Sequence, residues 1–468
     1  MKDTLLFLMG IQILFGAVYM VFSMGSAQQF MESIRLFGLG EQFVSDGYTG
    51  ILYSALLWFC HILSGGGQAL FANGITTIPF SAFISVFQLV MAAAATWYFL
   101  GVWMKHGWQK GICVAYFLTV PFLLQMHLSV LPWSLALSAV EVMLGGLLRV
   151  ISAVERRDIL AMLLGYMAAG LIVVDLFWIC GLFLLGALSL LCFKGNFGNA
   201  LKILDLDEKA GKAKYACRQL WLAFLLVSVA VFTINRVTYV AQNDRIQNSF
   251  QASMVSRFVW PNFATNYYFW SDEVKDAISL EDAVAICQRE DALESFFGPV
   301  MEQKYGYEKA KSLYLQMAYQ CFMDRTKEEI TMLAEDIKDY LLIPFTVDRN
   351  LSGDGTSLTA WNYGRMQLMA PQLVKYYVRY SLMVLPIMML FSVLIVLSDF
   401  IKIRFNKWKY LVGFGVWYGL WFAMASNKPI DYKQVLPVLF LWYLIGICGV
   451  VDTDRTNECK IGKECNGK

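Results

Sequence analysis

The sequence predicts an all-α, polytopic transmembrane helix bundle of about ten or eleven membrane helices, each needing roughly 17–25 apolar residues to cross, with one mainly helical extracytoplasmic domain. Three observations predict it. Hydrophobic residues make up 58% of the 468-residue chain and charged residues only 16%, where a soluble domain is nearer half and a quarter. The apolar residues gather into runs long enough to cross the hydrocarbon core as helices. The charge also divides by region. Residues 244–375 carry 19 acids and 13 bases, a net of −6, while the rest carries 17 acids and 25 bases, a net of +8. A basic membrane part and an acidic exported part follow the positive-inside rule. The overall net charge of +2 argues neither for nor against nucleic acid, and no nucleic-acid partner is expected.

The apolar stretches are 4–24, 48–64, 79–104, 111–127, 132–149, 158–174, 176–193, 218–235, 379–400, 409–425 and 433–451. The first exceeds the roughly 7–15 residues of a signal-peptide core, so it reads as an uncleaved helix. Basic clusters stand at Lys105/Lys110, Arg156/Arg157, Lys194 through Arg218, Lys402 through Lys409, and Arg455 onward. Lys and Arg mark the cytoplasmic side, and two apolar stretches separate each cluster from the next, so all can share that side. The helix after the strongest cluster must then leave the cytoplasm. This gives an N-terminal transmembrane module at 1–239, an extracytoplasmic domain at 240–378, C-terminal transmembrane helices at 379–451 and a cytoplasmic tail at 452–468. Three stretches lie between Lys2 and Lys105 where parity asks for an even number. The shortest, 48–64 with His61, is expected to be re-entrant or tilted; the alternative lets it span and places the N-terminus outside.

The outer domain reads as helical. Ser279-x-x-Asp282 opens an apolar-periodic stretch to about Lys304, and Thr326-x-x-Glu329 opens another to about Leu342; both resemble capping boxes. Tyr307 to Met323 forms a third helix, with Gly306 at the turn. Helices folding back at Gly306 bring Cys287 and Cys321 near each other, either as a disulfide or as two buried thiols. Cys60, Cys113, Cys180, Cys192 and Cys448 fall in apolar runs, where cysteine acts as a small hydrophobe. Cys459 and Cys465 lack partner histidines, and His61, His106 and His127 are not spaced as ligands. No metal and no cofactor are expected.

Ionisable groups inside a span are costly and therefore functional candidates. Glu141 and Asp175 are two such groups. Glu141 lies mid-helix; Asp175 sits where two stretches meet, near the outer interface. Each also suits a hydrogen-bonded packing or interfacial role. The loop after the first helix gathers Glu32, Glu41 and Asp46 on the outer side, with Arg35 on the same helix face as Glu32. A carboxylate there suits a general base on a sugar hydroxyl, and an arginine suits a lipid phosphate; the same pattern also suits an amphipathic helix in the headgroup layer. Arg236, Arg245 and Arg257 follow the eighth stretch and suit either a phosphate headgroup or helix anchoring. Trp260, Tyr267, Tyr268, Phe269 and Trp270 suit an interfacial aromatic belt or sugar stacking.

In segment order the chain resembles the GT-C superfamily of membrane glycosyltransferases, in its dolichyl-phosphate mannosyltransferase-like and aminoarabinose transferase-like branch. The matching run is Ser26-Ala27-Gln28-Gln29-Phe30-Met31-Glu32-Ser33-Ile34-Arg35, followed by Thr49-Gly50-Ile51-Leu52-Tyr53. The runs PFLLQMHLSVLPWSLALSAVEVMLGGLLR and GYMAAGLIVVDLFWICGL extend the resemblance to about residues 5–195. Ser26 and Ala27 stand where the family has its catalytic acidic pair, and Pro132 where many members have a second Asp. Glu32 and Arg35 are retained.

The resemblance implies transfer of a sugar from a polyprenyl-phosphate donor to a cell-envelope glycan or lipid acceptor in the membrane. Glu32, Glu41 or Asp46 would be catalytic, and Arg35, Tyr53, Asp175 and Arg236 would bind substrate. A non-catalytic, lipid-binding scaffold is the alternative that the missing acidic pair favours. A transporter using Glu141 and Asp175 is the third reading; the absence of a repeat between the halves weighs against it.

Overall fold

A computed structural model describes residues 2–23, 38–45, 49–63, 71–72, 75–76, 78–104, 106–128, 130–152, 155–193, 210–239, 251, 254–259, 266–287, 298–335, 376, 380, 383–384 and 408–425. These are almost entirely helical; the one described sheet is a hairpin pairing Phe71–Ala72 with Ile75–Thr76. In chain order the helices before residue 240 are α1 (Lys2–Ser23), α2 (Ile51–Leu63), α3 (Ile78–Leu100), α4 (Gly107–Leu118), α5 (Pro121–Leu128), α6 (Trp133–Ser152), α7 (Arg156–Ile172), α8 (Val174–Phe193) and α9 (Ala210–Thr238). Among the described residues four segments are long and apolar enough to cross a membrane: Ala82–Leu100, Trp133–Ile151, Val174–Leu191 and Arg218–Thr238. Their outward faces carry large apolar side chains such as Val90, Leu226 and Val237, which suits contact with lipid rather than water. At 13 residues, α2 is about 20 Å long and cannot cross a hydrocarbon core of about 30 Å by itself.

The apolar stretch 111–127 is not one helix. It breaks at Thr119–Val120 into α4 and α5. Pro121 disfavours helical geometry in the residue before it and has no N–H to donate. A break inside an apolar bundle leaves backbone carbonyls without partners. Here Gln12 of α1 answers: its Nε2 donates to the Thr119 carbonyl at 3.0 Å. The Thr119 hydroxyl meanwhile donates back into α4, to the carbonyls of Ala115 at 2.7 Å and Tyr116 at 2.9 Å. Further buried bonds fix α5. Ser85 Oγ donates to the Leu128 carbonyl (3.3 Å), Gln88 Nε2 to the His127 carbonyl (3.1 Å), and His127 Nδ1 bonds Ser134 Oγ at 2.7 Å. His127 is thus a satisfied core histidine.

The α6/α7 pair forms the centre of the bundle, and small residues set its spacing. Gly146 of α6 lies against the α7 backbone at Asp158 and Met162, and Gly165 of α7 lies against α6 at Ala139 and Met143. Such close approach is the usual device where lipid removes the hydrophobic drive between helices. Around the pair pack Leu144, Leu147, Met162, Tyr166 and Ala169, all buried. At the far end of the chain, α14 (Trp408–Ala425) seats on α8: Trp417 Nε1 donates to the Ile179 carbonyl at 3.0 Å, and Phe414 meets Phe183 with ring centroids 5.0 Å apart.

The segment after α9 has its own core. Beyond a π-helical turn (Val255–Val259) and a 3-10 turn (Tyr267–Phe269) come α10 (Asp272–Ala277), α11 (Leu280–Cys287), α12 (Gly298–Tyr305) and α13 (Tyr307–Asp324). In α13 the residues Ala310, Leu313, Tyr314, Met317, Ala318 and Cys321 are buried, the spacing of one helix face. They pack with Phe258, Trp270 and Met301. Gly306 joins α12 to α13 at φ 75°, a left-handed conformation that glycine adopts without steric cost. Buried Asn266 donates from Nδ2 to the Val259 carbonyl at 2.9 Å and accepts from Arg325 Nη1 at 3.2 Å.

One expectation for this region is corrected, and one pair of alternatives is narrowed. Thr326 does not open a capping box: its hydroxyl donates back to the carbonyls of Phe322 and Met323, both at 2.9 Å. It closes carbonyls left over at the end of α13, and the chain continues helically over 326–335. Of the two alternatives for Cys287 and Cys321, the disulfide is the one excluded, since Cys321 is a free, buried thiol; the Cys287 side chain lies outside the described residues. Burial pushes the Cys321 thiol up to about 11. Raised above its ordinary value, it stays a thiol at neutral pH and yields thiolate only as pH climbs toward 11. Because thiolate is the reactive form, maleimide at pH 7.5 is expected to spare Cys321 in folded protein and to label it after denaturation, as mass spectrometry would show.

Candidate functional site at the loop end of the bundle

The first long loop is held by main-chain pairing to the ends of two later helices. Helix α7 ends at Ile172, and extended Val173 forms an antiparallel bridge with Thr49. The Gly50 N–H donates to the Ile172 carbonyl at 3.0 Å. A methyl group at Gly50 would run into the Leu171 carbonyl, so this approach requires glycine. At the end of α9, Tyr239 bridges Ser45 in parallel, and the Ser45 N–H donates to the Thr238 carbonyl at 2.8 Å. The Thr238 hydroxyl gives its hydrogen to the Ile234 carbonyl (2.8 Å), so Ser45 Oγ is the donor in its 2.9 Å bond to Thr238 Oγ1. Asn235 Nδ2 completes the tie, donating to the Gly170 carbonyl at 3.1 Å.

The loop carries a helical turn over 38–42. It closes with Val44 N–H donating to the Leu39 carbonyl (3.0 Å) and Phe43 N–H to the Gly40 carbonyl (3.2 Å). This is the glycine-type helix end, yet the left-handed residue is Phe43, at φ 52°. Its ring meets Trp58 of α2 edge-on, centroids 4.9 Å apart, a contact that offsets the backbone cost. Gly40 lies flush against the Ser54 carbonyl of α2.

These ties place three of the sequence-derived candidates at one end of the bundle. Glu41 is exposed on the helical turn. Asp175 is half-buried in the first turn of α8, two residues beyond bridged Val173, and no described residue hydrogen-bonds to it. Arg236 is exposed in the last turn of α9, its guanidinium 5.9 Å from the Phe232 ring centroid. Helix polarity accounts for both signs: an acid suits the start of α8 and a base suits the finish of α9. Glu32, Arg35, Asp46 and Arg245 lie outside the described residues, as does the Arg257 side chain. Tyr53 is 0% exposed and is part of the bundle core rather than a surface open to a ligand.

Below the loop runs an apolar groove of about 400 Å³ between α2, α3, α6 and α7. Leu52 and Ile172 line it next to the Gly50 tie, and Met91, Val142 and Leu164 line it deeper; Ser138 is its one polar residue. Its size falls within the range of ligand pockets, and its lining suits an alkyl or isoprenoid chain. Glu141 is not part of it. At 1% exposure it accepts a hydrogen bond from Thr96 Oγ1 at 2.9 Å, a closed pair that joins α6 to α3.

Sequence reasoning missed the residues that build the anchorage, namely Gly40, Ser45, Gly50, Asn235 and Thr238. The turn-rich run Ser45-Asp46-Gly47-Tyr48-Thr49-Gly50 was the available signal, because glycine and serine mark places where backbones approach. Comparison with protein-family models, with characterised proteins and with solved structures finds no match.

Proposed function

We propose that this chain is an integral membrane glycosyltransferase of GT-C type, crossing the membrane about ten or eleven times at the helix lengths a bilayer demands, with residues 240–378 outside the cytoplasm. It moves a sugar from a polyprenyl-phosphate donor to an extracytoplasmic envelope acceptor. The observation that carries the reading is the main-chain docking of the first loop on the ends of α7 and α9. It gathers Glu41, Asp175 and Arg236 at the end of the bundle where the apolar groove opens beside Gly50.

The chemistry follows from the charges. A loop carboxylate takes the proton of an acceptor hydroxyl, and the oxygen attacks the anomeric carbon. The bond from that carbon to the phosphate oxygen breaks, and polyprenyl phosphate leaves with the electron pair. Arg236 faces the developing negative charge, as a planar guanidinium suits phosphate oxygens, while the isoprenoid tail rests in the groove. A preorganised cation at a leaving phosphate contributes without rearrangement during reaction.

The test uses the purified full-length protein in detergent, a panel of radiolabelled polyprenyl-phosphate sugars and a membrane-lipid acceptor extract. Labelled product from at least one donor is expected. Saturable binding of donors with no product from any of them would replace this reading by a non-catalytic, lipid-binding scaffold.

A further inference from the structure

The end of the bundle opposite the loop has chemistry of its own. Helix α7 begins there with Arg156, α3 finishes there with Trp97 through Leu100, and α4 starts there at Gly107. Two cations converge on one dipeptide of α3. Lys110 holds its Nζ 5.1 Å from the Trp97 ring centroid, and Arg149 stacks its guanidinium 4.7 Å from that of Tyr98. Arg149 Nη2 also donates to the Tyr98 carbonyl at 2.9 Å. The guanidinium lies flat against Gly101, where a methyl group would stand 2.5 Å from Nη2.

The nearby acids are engaged elsewhere. Asp158 accepts the Tyr98 hydroxyl at 3.0 Å, and Glu155 pairs with Arg157 at 2.6 Å. Among the described residues neither Lys110 nor Arg149 has a carboxylate partner. Moreover, Arg149 Nε is buried and bonds no described group. Two cations without a described countercharge favour an anion beside them. Trp97 and Trp108 flank the place at 44% and 58% exposure. Tryptophans at the ends of apolar helices belong to the headgroup layer, so an anion arriving here is carried on a membrane lipid.

We propose that Lys110 and Arg149, set over the Trp97–Tyr98 pair, bind the phosphate of an anionic phospholipid at the bundle end remote from the first loop. The lysine supplies a point charge and the arginine its delocalised charge, and the tryptophans pack on the glycerol and upper chains. Basic recesses between membrane helices are suited to such headgroups. The site is independent of the glycosyl-transfer reading.

Full-length protein in neutral detergent is titrated with phosphatidylglycerol, with phosphatidylcholine or with inorganic phosphate. Bound lipid is counted by native mass spectrometry, and the thermal midpoint is followed. Phosphatidylglycerol is expected to bind and raise the midpoint more than phosphatidylcholine, with inorganic phosphate ineffective. Lys110→Gln should weaken phosphatidylglycerol binding about fivefold, the scale of one interfacial charge, and leave phosphatidylcholine unaffected. Arg149→Lys keeps the charge but loses the planar, delocalised guanidinium and should also weaken it. Because Arg149 ties down Tyr98, the Lys110 variant decides the matter if the arginine variant misfolds. An undiminished preference for phosphatidylglycerol in Lys110→Gln overturns the site. Equal binding of both lipids by the native protein, or equal stabilisation by inorganic phosphate, overturns a lipid headgroup as its ligand.

Discussion

Valine in place of Gly165 is expected to leave little folded protein to purify. A first methyl at that position would already press on the Met143 backbone N, lying 2.7 Å from the Ala139 carbonyl and 2.9 Å from Met143 Cα. These are main-chain atoms of α6, so no rotamer change relieves the clash. The reciprocal contact holds the helices just as closely, since a methyl at Gly146 would lie 2.6 Å from the Met162 N and 2.8 Å from the Asp158 carbonyl. Overfilling a packed core typically costs about 1–3 kcal/mol, and separating two helices along a shared glycine contact belongs at or above that upper value. The readout is monodisperse yield and thermal midpoint in detergent. Gly186→Ala is the control, because nothing stands within 4 Å of a methyl there. A normal yield and midpoint for Gly165→Val would mean that α6 and α7 do not meet as described.

The second large effect is on turnover. Replacing Glu32 or Glu41 by glutamine, or Asp46 by asparagine, is expected to lower sugar transfer about a hundredfold or more in at least one case, the scale of a lost general base. Only the ionised carboxylate accepts the proton, so the native rate should also fall on the acid side of its profile, and the damaged variant should lose that limb. Asp175→Asn is expected to act differently, raising the donor KM more than it lowers kcat, whereas Arg236→Gln, which removes the charge facing the leaving phosphate, should lower kcat. Glu41 and Arg236 are exposed, so their variants should keep the native thermal midpoint. Full activity in all three loop variants would remove the loop as the source of the base.

Much of this architecture was legible from the chain, and the failures share one cause. Runs such as 79–104 and 176–193 announced their helices because length and apolarity are additive along a sequence. The break at Thr119–Val120 was harder to see: Pro121 hinted at it, but the residue that makes it tolerable is Gln12, more than a hundred positions away. Thr326 was misread for a similar reason. A hydroxyl three residues before a carboxylate suits a helix start, and only the preceding carbonyls of Phe322 and Met323 reveal that it serves a helix end. At the candidate site Asp175 was visible from its cost in a membrane, and Glu41 and Arg236 from their place beside the apolar runs, whereas the glycines and hydroxyls that fasten the loop carry no charge and gain meaning only from what lies across from them.

The Gln12 amide has a consequence for the order of assembly. Helix α1 is synthesised well before the residues that hold it: Thr119 through Gln12, and Tyr380, whose hydroxyl donates to the Leu8 carbonyl at 2.8 Å. Contacts so distant along the chain form after local ones. A helix made so long before its partners must wait, loosely held, and it is seated late, beside the proline break that Gln12 answers.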